Sequence, residues 1–467
     1  MDRLDPDYID AIRFLYERIN YEKSIDRPYD QQTYRLARME FLLQQLGSPH
    51  VAAPVVHIAG TKGKGSVSWL IAETLRRSGL RVGLYTSPHL LHLEERFLVD
   101  GQPCLPDELA MHIESLKKAE KATSQSSLGE PTFFEMTTAL AWTLFTARKT
   151  DINVIEVGLG GRLDSTNVCS SALDIITSIS FDHQQQLGNT ISLIATEKAG
   201  IIKSGNPVIS GARHPEARTV IRNRCATTQS QLWEIDTDFQ AVIRSQQLLD
   251  SAPLGSESPP ASYVDFLPKN AALPLTTLSN IAIGMPGRHQ AENAAVAIAA
   301  WHRLNHDGWK LPAAALLDSI RETKLSCRIE LVGQSPTTVV DTAHNVASMD
   351  ALLEALQDHF APTRRTIIFA CSKDKEYEKM LQQILGYTDR LIVTQFQINP
   401  RAVLVEQLEK LSKENTFNAR SVEVLSAPSV QQALEFANAT AKEGELICIT
   451  GSFFLAAEAK TLLEKSV

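Results

Sequence analysis

The sequence predicts an α/β protein in which helices cover parallel sheets. Short apolar runs alternate with stretches of helical periodicity through most of the chain. Glycine-rich loops follow two of these apolar runs, and polar residues follow several others. With 467 residues, the chain is long enough for roughly two or three domains. We therefore expect two α/β domains, an N-terminal one over residues 1–305 and a C-terminal one over residues 306–467.

Composition and charge narrow the functional class. Hydrophobic residues make up 43% of the chain and charged residues 21%, which is ordinary for a globular protein. The formal net charge of -8 argues against a general nucleic-acid-binding protein, which needs a basic face. The six cysteines form no C-x-x-C pair, so neither a zinc site nor a disulfide framework is expected. The N-terminus shows no continuous apolar segment, and we expect a cytoplasmic protein without a membrane partner.

The stretch VVHIAGTKGKGSVSWLIAETLRRSGL, residues 55–80, predicts a buried strand, a glycine-rich loop and a helix with Gly79 at its C-terminal cap. The loop departs from the P-loop pattern G-x-x-x-x-G-K-[ST], because Gly65 follows Lys64 and displaces Ser66 by one position. A tight turn with a surface lysine would look similar. The free N–H groups and positive dipole end of the following helix favour phosphate binding instead.

Three further apolar runs of the first domain end in polar residues. Ser87 follows RVGLY, Glu156 ends the strand in DINVIEVG, and His183 follows LDIITSIS. A carboxylate at the end of a strand near a P-loop is a typical ligand of Mg²⁺. Each residue also has a plain alternative: Glu156 could cap the next loop, His183 could be structural, and Ser87 could form a local turn. Lys198, near the end of a short helix, could simply complement the helix dipole.

The pattern changes in the middle of the chain. From about residue 225 to 280 the alternation of helix and strand is lost. The Ser/Pro-rich stretch SAPLGSESPPASY, 251–263, indicates an exposed loop between short strands, in a peripheral excursion of the first domain. HQAENAAVAIAAWHRL then predicts a helix. A second, mostly parallel sheet is predicted from the runs TTVVDTAHN, TIIFACSKDK, RLIVTQF and ELICITGSFF.

An ordered set of motifs resembles one known family. The set runs from residue 59 to about residue 454 and consists of AGTKGKGS, TSPHL, ERFLVDG, TFFE, EVGLGGRLDSTN, DH, EKAGI, HQAENAAVAIAA, DTAHN and TGSFF. It is similar to the folylpolyglutamate synthases and dihydrofolate synthases, within the wider group of Mur-type ATP-dependent ligases. EVGLGGRLDSTN is the most specific member, because Mur enzymes proper lack it. The resemblance implies a P-loop, Mur-ligase-like N-terminal domain with a parallel sheet and a smaller, Rossmann-like α/β C-terminal domain.

The resemblance also implies a reaction. Family members use ATP to phosphorylate a substrate carboxylate, and the amine of L-glutamate then attacks the acyl phosphate between the closing domains. The implied enzyme is bifunctional: it joins L-glutamate to 7,8-dihydropteroate and to tetrahydrofolate, and builds the poly-γ-glutamate tail of folates. Its partners would be small-molecule substrates only, namely ATP, L-glutamate, dihydropteroate and reduced folates, and its working form a monomer. The cofactor would be Mg²⁺, with room for a second magnesium ion and for a monovalent cation.

The site residues that the resemblance implies fall into four groups. The residues expected to bind ATP are Gly63, Lys64, Gly65, Ser66, Asn293, Arg328 and Asp341. The metal ligands are Ser87, Glu156 and His183. The pterin pocket is formed by Thr132, Phe133, Phe134, Glu135, Leu163, Asp164 and Ser165. The catalytic group contains Lys64, His183, Arg328, Asp341 and Lys198, which matches a lysine that family members carbamylate.

Two of these assignments have plain alternatives. Phe133 and Phe134 could simply be core residues, although flat pterin rings favour aromatic neighbours. Glu197 and Lys198 could be an exposed ion pair, although the intact EKAGI motif favours the carbamate.

Two departures from the family pattern stand out. Where the family commonly has Pro-Gly-Arg before the first strand of the second domain, this chain has Ser326, Cys327 and Arg328. The arginine is kept, but a rigid approach to it is lost. In DHQQQLG, 182–188, a glutamine replaces the threonine that usually follows the histidine, which changes the loop without removing the metal ligand.

Three other functions stay open at this level. The chain could be a monofunctional folylpolyglutamate synthase, a ligase of the same fold acting on another carboxylate such as a peptidoglycan precursor, or a non-catalytic nucleotide-binding regulator. EVGLGGRLDSTN and TFFE favour a folate substrate. The presence of Lys64, Glu156, His183 and Asp341 argues against loss of catalysis.

Overall fold

The computed structural model describes residues 5–20, 30, 35–246, 248–249, 261–397, 399–416 and 422–465. The chain divides into two compact units, each discontinuous in sequence. The first contains Met1–Ala241, Phe266–Thr277 and Glu292–Ser319, and the second contains Val242–Asp265, Leu278–Ala291 and Ile320–Val467. The domain boundary between residues 305 and 306 stays a prediction. Of the Ser/Pro-rich stretch expected to be an exposed loop, residues 251–260 lie outside the described residues.

An eight-stranded sheet organises the first unit. Its strands are β1 (Val55–Ala59), β2 (Val82–Tyr85), β3 (Phe97–Val99), β4 (Gln102–Pro103), β5 (Ile152–Glu156), β6 (Ser171–Ile176), β7 (Val208–Ser210) and β8 (Leu232–Glu234). Their order is β4-β3-β2-β5-β1-β6-β7-β8. The six strands from β2 to β8 in this order are parallel, and β3 and β4 continue the sheet in antiparallel pairing. The sheet confirms the predicted parallel α/β class.

Helices surround the first sheet, and their apolar faces bury against the sheet or against one another. They are α1 (Pro6–Tyr16), α2 (Leu36–Gln45), α3 (Lys64–Arg77), α4 (Pro106–Ser124), α5 (Phe133–Ala147), α6 (Gln184–Leu187), α7 (Ile191–Ala199), α8 (Pro215–Thr228) and α9 (Arg288–His306). Single turns of 3₁₀ helix lie at Pro49–Val51, Leu93–Arg96 and Ser165–Val168. One core joins α1, α2, α4 and α5 to the strands, and a second joins β6 to α7 and α8. The predicted helix in HQAENAAVAIAAWHRL is confirmed as α9.

A separate three-stranded sheet has the order β11-β10-β9. Its strands are β9 (Phe239–Gln246), β10 (Ser262–Pro268) and β11 (Leu278–Ile283). They occupy part of the stretch in which the sequence predicted short strands without helices.

The second unit contains a six-stranded sheet of order β12-β13-β17-β14-β15-β16. The strands are β12 (Glu330–Gln334), β13 (Thr337–Val340), β14 (Arg364–Phe369), β15 (Arg390–Val393), β16 (Glu423–Ser426) and β17 (Glu445–Thr450). Only β12 is antiparallel to its neighbour. All four predicted runs form strands. The two edge strands, β12 and β16, were not predicted. They are partly exposed and therefore lack the continuous apolar run that marks the buried strands.

The remaining helices are α10 (Ala313–Glu322), α11 (Val346–His359), α12 (Tyr377–Tyr387), α13 (Val405–Thr416), α14 (Val430–Thr440) and α15 (Phe453–Glu464). Across the described part of the chain, no helix combines the length and the apolar character that a membrane crossing requires.

Candidate active site

Most of the predicted site residues of the first unit meet at one edge of its sheet. The strands β2, β5, β1 and β6 are consecutive in the sheet and parallel. Their carboxyl ends therefore lie side by side, which is where ligands collect in open α/β sheets. Ser87 follows β2, Glu156 ends β5, the glycine-rich loop follows β1, and His183 lies beyond β6.

The glycine-rich loop leads directly into a helix N-terminus. Gly63 is the N-cap of α3 with φ +83°, a left-handed conformation that favours glycine, and it makes no side-chain cap. The first-turn N–H groups of α3 are thus presented to the loop, as anion binding requires. A Cβ atom at Gly63 would lie 2.2 Å from Oδ1 of Asn293, so the loop packs directly on this predicted ATP-binding residue. Ser66 is buried in the first turn.

The loop is tied to the segment that follows β6. The N–H of Thr61 donates to the carbonyl of Ser178 (2.7 Å), and Oγ1 of Thr177 donates to the carbonyl of Lys62 (2.7 Å). Nζ of Lys62 lies 3.3 Å from Oδ2 of Asp182. The sequence reasoning missed these anchors. The sequence feature that could have revealed them is the run of hydroxyl residues after LDII, whose side chains can hydrogen-bond to a neighbouring loop.

Glu156 is a buried carboxylate that faces the loop. It is 4% exposed, and its Oε1 lies 4.0 Å from Nζ of Lys64. A Cβ atom at Gly65 would lie 3.7 Å from Oε2 of Glu156, so the extra glycine of the motif sits against the carboxylate. The departure from the P-loop pattern therefore falls where the loop faces Glu156.

His183 has a different environment. Its φ is +48°, its side chain is 46% exposed, and its Nε2 lies 3.9 Å from Oδ1 of Asp182. Within the described residues, no three His, Cys, Asp or Glu side chains cluster as a metal site by themselves. The predicted set has only two such residues. The donor types of Ser87 and Glu156 fit Mg²⁺, which prefers oxygen and usually keeps positions for water and phosphate. The imidazole of His183 is a less usual ligand.

Lys198 lies in the interior, on α7. It is 5% exposed, and its Nζ donates to the carbonyl of Gly60 at 2.8 Å. Burial, helped by the positive charge of Lys64, lowers the pKa of Lys198 to about 7. Glu197 instead pairs with Arg162, with Nη2 to Oε1 at 2.8 Å. The alternative of an exposed Glu197–Lys198 pair is therefore wrong, and an amine that is partly neutral near pH 7 lies under the glycine-rich loop.

The TFFE motif opens α5. Thr132 and Glu135 form a capping box: Oγ1 of Thr132 accepts from the N–H of Glu135, and Oε2 of Glu135 accepts from the N–H of Thr132. Phe133 is fully buried and stacks on Tyr16 with ring centres 5.2 Å apart. Phe134 is only partly buried. Phe133 is thus a core residue, while Phe134 keeps part of its surface accessible.

Phe134 abuts the second glycine-rich loop. A Cβ atom at Gly158 would lie 2.3 Å from Cζ of Phe134, so only glycine allows this approach. Two of the motifs that the sequence assigned to the pterin pocket, TFFE and EVGLGGRLDSTN, are therefore in contact.

Buried hydrogen bonds fix the second glycine-rich loop. Asp164 accepts from the N–H of Leu159 (2.9 Å) and from the N–H and Oγ1 of Thr166 (3.0 and 2.6 Å). Burial raises the pKa of Asp164. Oγ of Ser165 bonds Oγ1 of Thr138 on α5 (2.8 Å). Leu163 is buried beside them.

A histidine on β1 completes this network. Nε2 of His57 lies 2.9 Å from Oγ1 of Thr166. Because the hydroxyl of Thr166 donates to Asp164, His57 donates from Nε2. Burial lowers the pKa of His57 to about 3, which keeps the ring neutral. Sequence reasoning missed His57, and its only signal was a polar residue inside an apolar run.

In the second unit, Arg328 and Asp341 lie close together. Oδ2 of Asp341 accepts from the N–H of Ile329 (2.9 Å), and its Oδ1 accepts from the N–H of Ala343 (2.7 Å). Nη1 of Arg328 donates to Oγ1 of Thr342, and the guanidinium lies over the ring of Phe453, 5.1 Å from its centre. Asp341 thus shapes the backbone that carries Arg328.

Comparison with known families gives two matches that together span most of the chain. Residues 58–301 match the Mur ligase middle domain, and residues 327–453 match the Mur ligase, glutamate ligase domain. A dihydrofolate synthase/folylpolyglutamate synthase of Bacillus subtilis is 31% identical over 92% of this chain and 95% of its own length. A folylpolyglutamate synthase of Lacticaseibacillus casei is 32% identical over 91% of this chain and 94% of its own length.

Solved structures show the same similarity. A folylpolyglutamate synthase of Mycobacterium tuberculosis, complexed with ADP and AMPPCP, superimposes with a TM-score of 0.84 at 28% identity and covers 98% of both chains. E. coli FolC in complex with DHPP and ADP gives a TM-score of 0.81 at 26% identity, again over 98% of both chains. The similarity covers both units of the chain.

Proposed function

Because the chain belongs to the dihydrofolate synthase/folylpolyglutamate synthase family of Mur-type ligases, we propose that it joins L-glutamate both to 7,8-dihydropteroate and to tetrahydrofolate. It is an ATP-dependent ligase. The observation that carries the proposal is the glycine-rich loop with Lys64 opposite the buried Glu156 and above Lys198. The proposal includes a monomeric, cytoplasmic working form.

The chemistry needs an activated carboxylate, because a carboxylate is a poor electrophile at neutral pH. Transfer of the γ-phosphoryl group of ATP gives an acyl phosphate, which the amine of L-glutamate attacks with release of phosphate. We assign the phosphates of ATP to Gly63, Lys64, Gly65 and Ser66, where helix N–H groups and an ammonium stabilise the negative charge. We assign further nucleotide contacts to Asn293, Arg328 and Asp341.

Mg²⁺ would be held by Ser87, Glu156 and His183. When bound, it would neutralise negative charge on the phosphate oxygens. Lys64 would stabilise the same phosphate charge, since its ammonium lies beside Glu156. We further propose that Lys198 is carbamylated, because its burial supplies the neutral amine that carbamylation requires.

The acceptor pocket is assigned to the TFFE segment and the second glycine-rich loop. Its proposed residues are Thr132, Phe133, Phe134, Glu135, Leu163, Asp164 and Ser165. The contacts divide these residues by task. Phe134 offers an aromatic face to a pterin ring, whereas Phe133, Asp164 and the Thr132–Glu135 capping box hold the surrounding backbone.

The test is phosphate release by the purified protein with Mg-ATP and L-glutamate, with 7,8-dihydropteroate or tetrahydrofolate as the acceptor and product mass as confirmation. We expect turnover with both acceptors. Turnover with only one would reduce the assignment to a single activity, and none with either would refute the proposal.

A variant tests the loop. Lys64→Ala should lower turnover on the order of 1000-fold, because it removes a charge that stabilises the transferring phosphoryl group. Circular dichroism should stay unchanged. Lys310→Ala, at an exposed lysine of the same unit, is the control and should keep full activity. Full activity in Lys64→Ala would refute the assignment of the loop.

A further inference from the structure

The turn that precedes Arg328 has an uncommon backbone. The N–H of Arg328 donates to the carbonyl of Leu325 at 3.2 Å, which closes a four-residue turn. Cys327 in its third position has φ +54°, while Ser326 in its second position has no positive φ. This is the φ pattern of a type II turn, in which proline favours the second position and glycine the third. Ile329, directly after Arg328, is also left-handed with φ +50°.

Side chains with a Cβ atom avoid this conformation, β-branched ones most strongly. Such residues persist where surrounding contacts hold them, and they concentrate at functional sites. On one side of Arg328 the contact is the bond from the N–H of Ile329 to Asp341. On the other side, the carbonyl of Cys327 accepts from the N–H of Thr342 (3.1 Å), and a pair of side chains also holds Ser326 and Cys327.

That pair is Glu330 and Lys460. Oε2 of Glu330 accepts from the N–H of Cys327 (2.7 Å) and from Oγ of Ser326 (3.2 Å). Nζ of Lys460, on α15, donates to both carboxylate oxygens of Glu330 (2.8 and 3.0 Å) and to Oγ of Ser326 (2.6 Å). The side chains of Lys460 and Glu330 are 17% and 29% exposed. The pair is therefore partly shielded from water, unlike the surface pairs that contribute little.

We propose that Glu330 and Lys460 are positioning residues that hold the Leu325–Arg328 turn and thereby fix the guanidinium of Arg328 for its contact with ATP. Their ion pair restrains the turn, as the proline ring and the glycine of a Pro-Gly turn would do through covalent structure alone. The inference rests on the proposed role of Arg328. Without the pair, Cys327 relaxes toward ordinary backbone conformations, and the guanidinium of Arg328 shifts relative to its two contacts, Thr342 and Phe453.

Lys460→Met is the variant that tests this, because it removes the ammonium and keeps the length of the side chain. We expect the KM for ATP and the Kd of a non-hydrolysable ATP analogue to rise about 5- to 10-fold, with kcat changed less than about 2-fold. Lys460→Arg should stay near the wild type. Lys410→Met is the matched control, since Lys410 forms an exposed pair with Glu414 (3.9 Å) in the same unit, and it should change neither constant.

A second background separates positioning from general stability. The double variant Ser326→Pro/Cys327→Gly supplies the residues that the turn prefers, and Lys460→Met in that background should leave the KM for ATP unchanged. A role in stability alone would lower the melting temperature equally in both backgrounds without changing KM, which would overturn the proposal. A rise in KM that the double variant does not rescue would overturn it too. If Lys460→Met does not fold, Lys460→Gln replaces it in both backgrounds, with the same measurements and the same expected results.

Arg328→Ala separates the role of Arg328 from that of the Glu330–Lys460 pair. If it raises the KM for ATP while Lys460→Met does not, only the positioning inference is wrong. If Arg328→Ala leaves that KM unchanged, the proposed role of Arg328 is wrong and the inference falls with it.

Discussion

At the scale of single residues, Lys198 shows how burial can prepare an amine for chemistry. An exposed lysine is almost fully protonated at neutral pH, and its ammonium does not react with CO₂. Burial and the nearby positive charge of Lys64 lower the pKa of Lys198 to about 7. The protonated fraction therefore falls as the pH rises through 7, and the neutral amine becomes available in the same range.

We predict that Lys198 forms a carbamate whose amount increases above pH 7 and decreases below it, because only the neutral amine adds CO₂. The measurement is ¹³C NMR of the protein in labelled bicarbonate. The carbamate signal should be absent from Lys198→Arg, with turnover lower on the order of 100-fold. Lys310→Arg is the control, since Lys310 is exposed, unlike the buried Lys198, and the substitution should leave both the signal and turnover unchanged. A protein that shows no such signal above pH 7 would contradict the prediction.

At the scale of elements, the contact between the TFFE motif and the second glycine-rich loop separates the two neighbouring phenylalanines: Phe133 is fully buried, whereas Phe134 is partly buried against the loop. α5 presents Phe134 to the loop after β5, and this approach exists because Gly158 has no side chain. Both motifs are recognisable in the sequence, but the sequence did not predict that they touch.

We predict that Gly158→Ala raises the KM for the folate acceptor about 10-fold and leaves the KM for ATP unchanged, because the added methyl group displaces the ring of Phe134. Steady-state kinetics with each substrate varied in turn provides the measurement. Gly386→Ala is the matched control: Gly386 lies in α12 with nothing within 4 Å of an added Cβ, and alanine favours helix there. An equal rise in both KM values would contradict the assignment of Phe134 to the acceptor.

The elements also show where sequence reasoning succeeds. The strand, loop and helix around Lys64 were predictable because a local apolar run, glycines and helical spacing all agree. The edge strands β12 and β16 were not predictable, because their partly exposed sequences contain no apolar run to mark them. In the site, the separation of Phe133 from Phe134 depends on long-range packing: Phe133 meets Tyr16 and Phe134 meets Gly158. Neither distance along the chain nor residue type reveals such a contact.

At the scale of the whole molecule, nucleotide binding should change stability. A ligand that binds only the folded protein stabilises it by RT ln(1 + [L]/Kd), which is about 2.7 kcal/mol at 100 times Kd. The glycine-rich loop follows β1 and is bonded to the segment after β6, both in the first unit, so unfolding of that unit disrupts the loop.

We predict that saturating Mg-ADP raises the melting temperature of the wild type by several degrees, because 1 kcal/mol corresponds to roughly 2–4 °C for 150–250 residues and to slightly less for the larger first unit. Differential scanning calorimetry provides the measurement. Lys64→Ala should lose most of this shift, while Lys310→Ala should keep it. A full shift in Lys64→Ala would mean that the nucleotide binds elsewhere.

The central position of β1 has a consequence for biosynthesis. Its two partners, β5 and β6, are translated much later, since β1 ends at Ala59 and β6 at Ile176. At about 5–20 residues per second, the apolar strand leaves the ribosome roughly 6–25 s before its second neighbour. During this interval the apolar β1 of the nascent chain has an unpaired edge, to which another chain or a chaperone can bind. A chain truncated before β6 would therefore carry the complete glycine-rich motif without Thr177 and Ser178, whose hydrogen bonds anchor its loop.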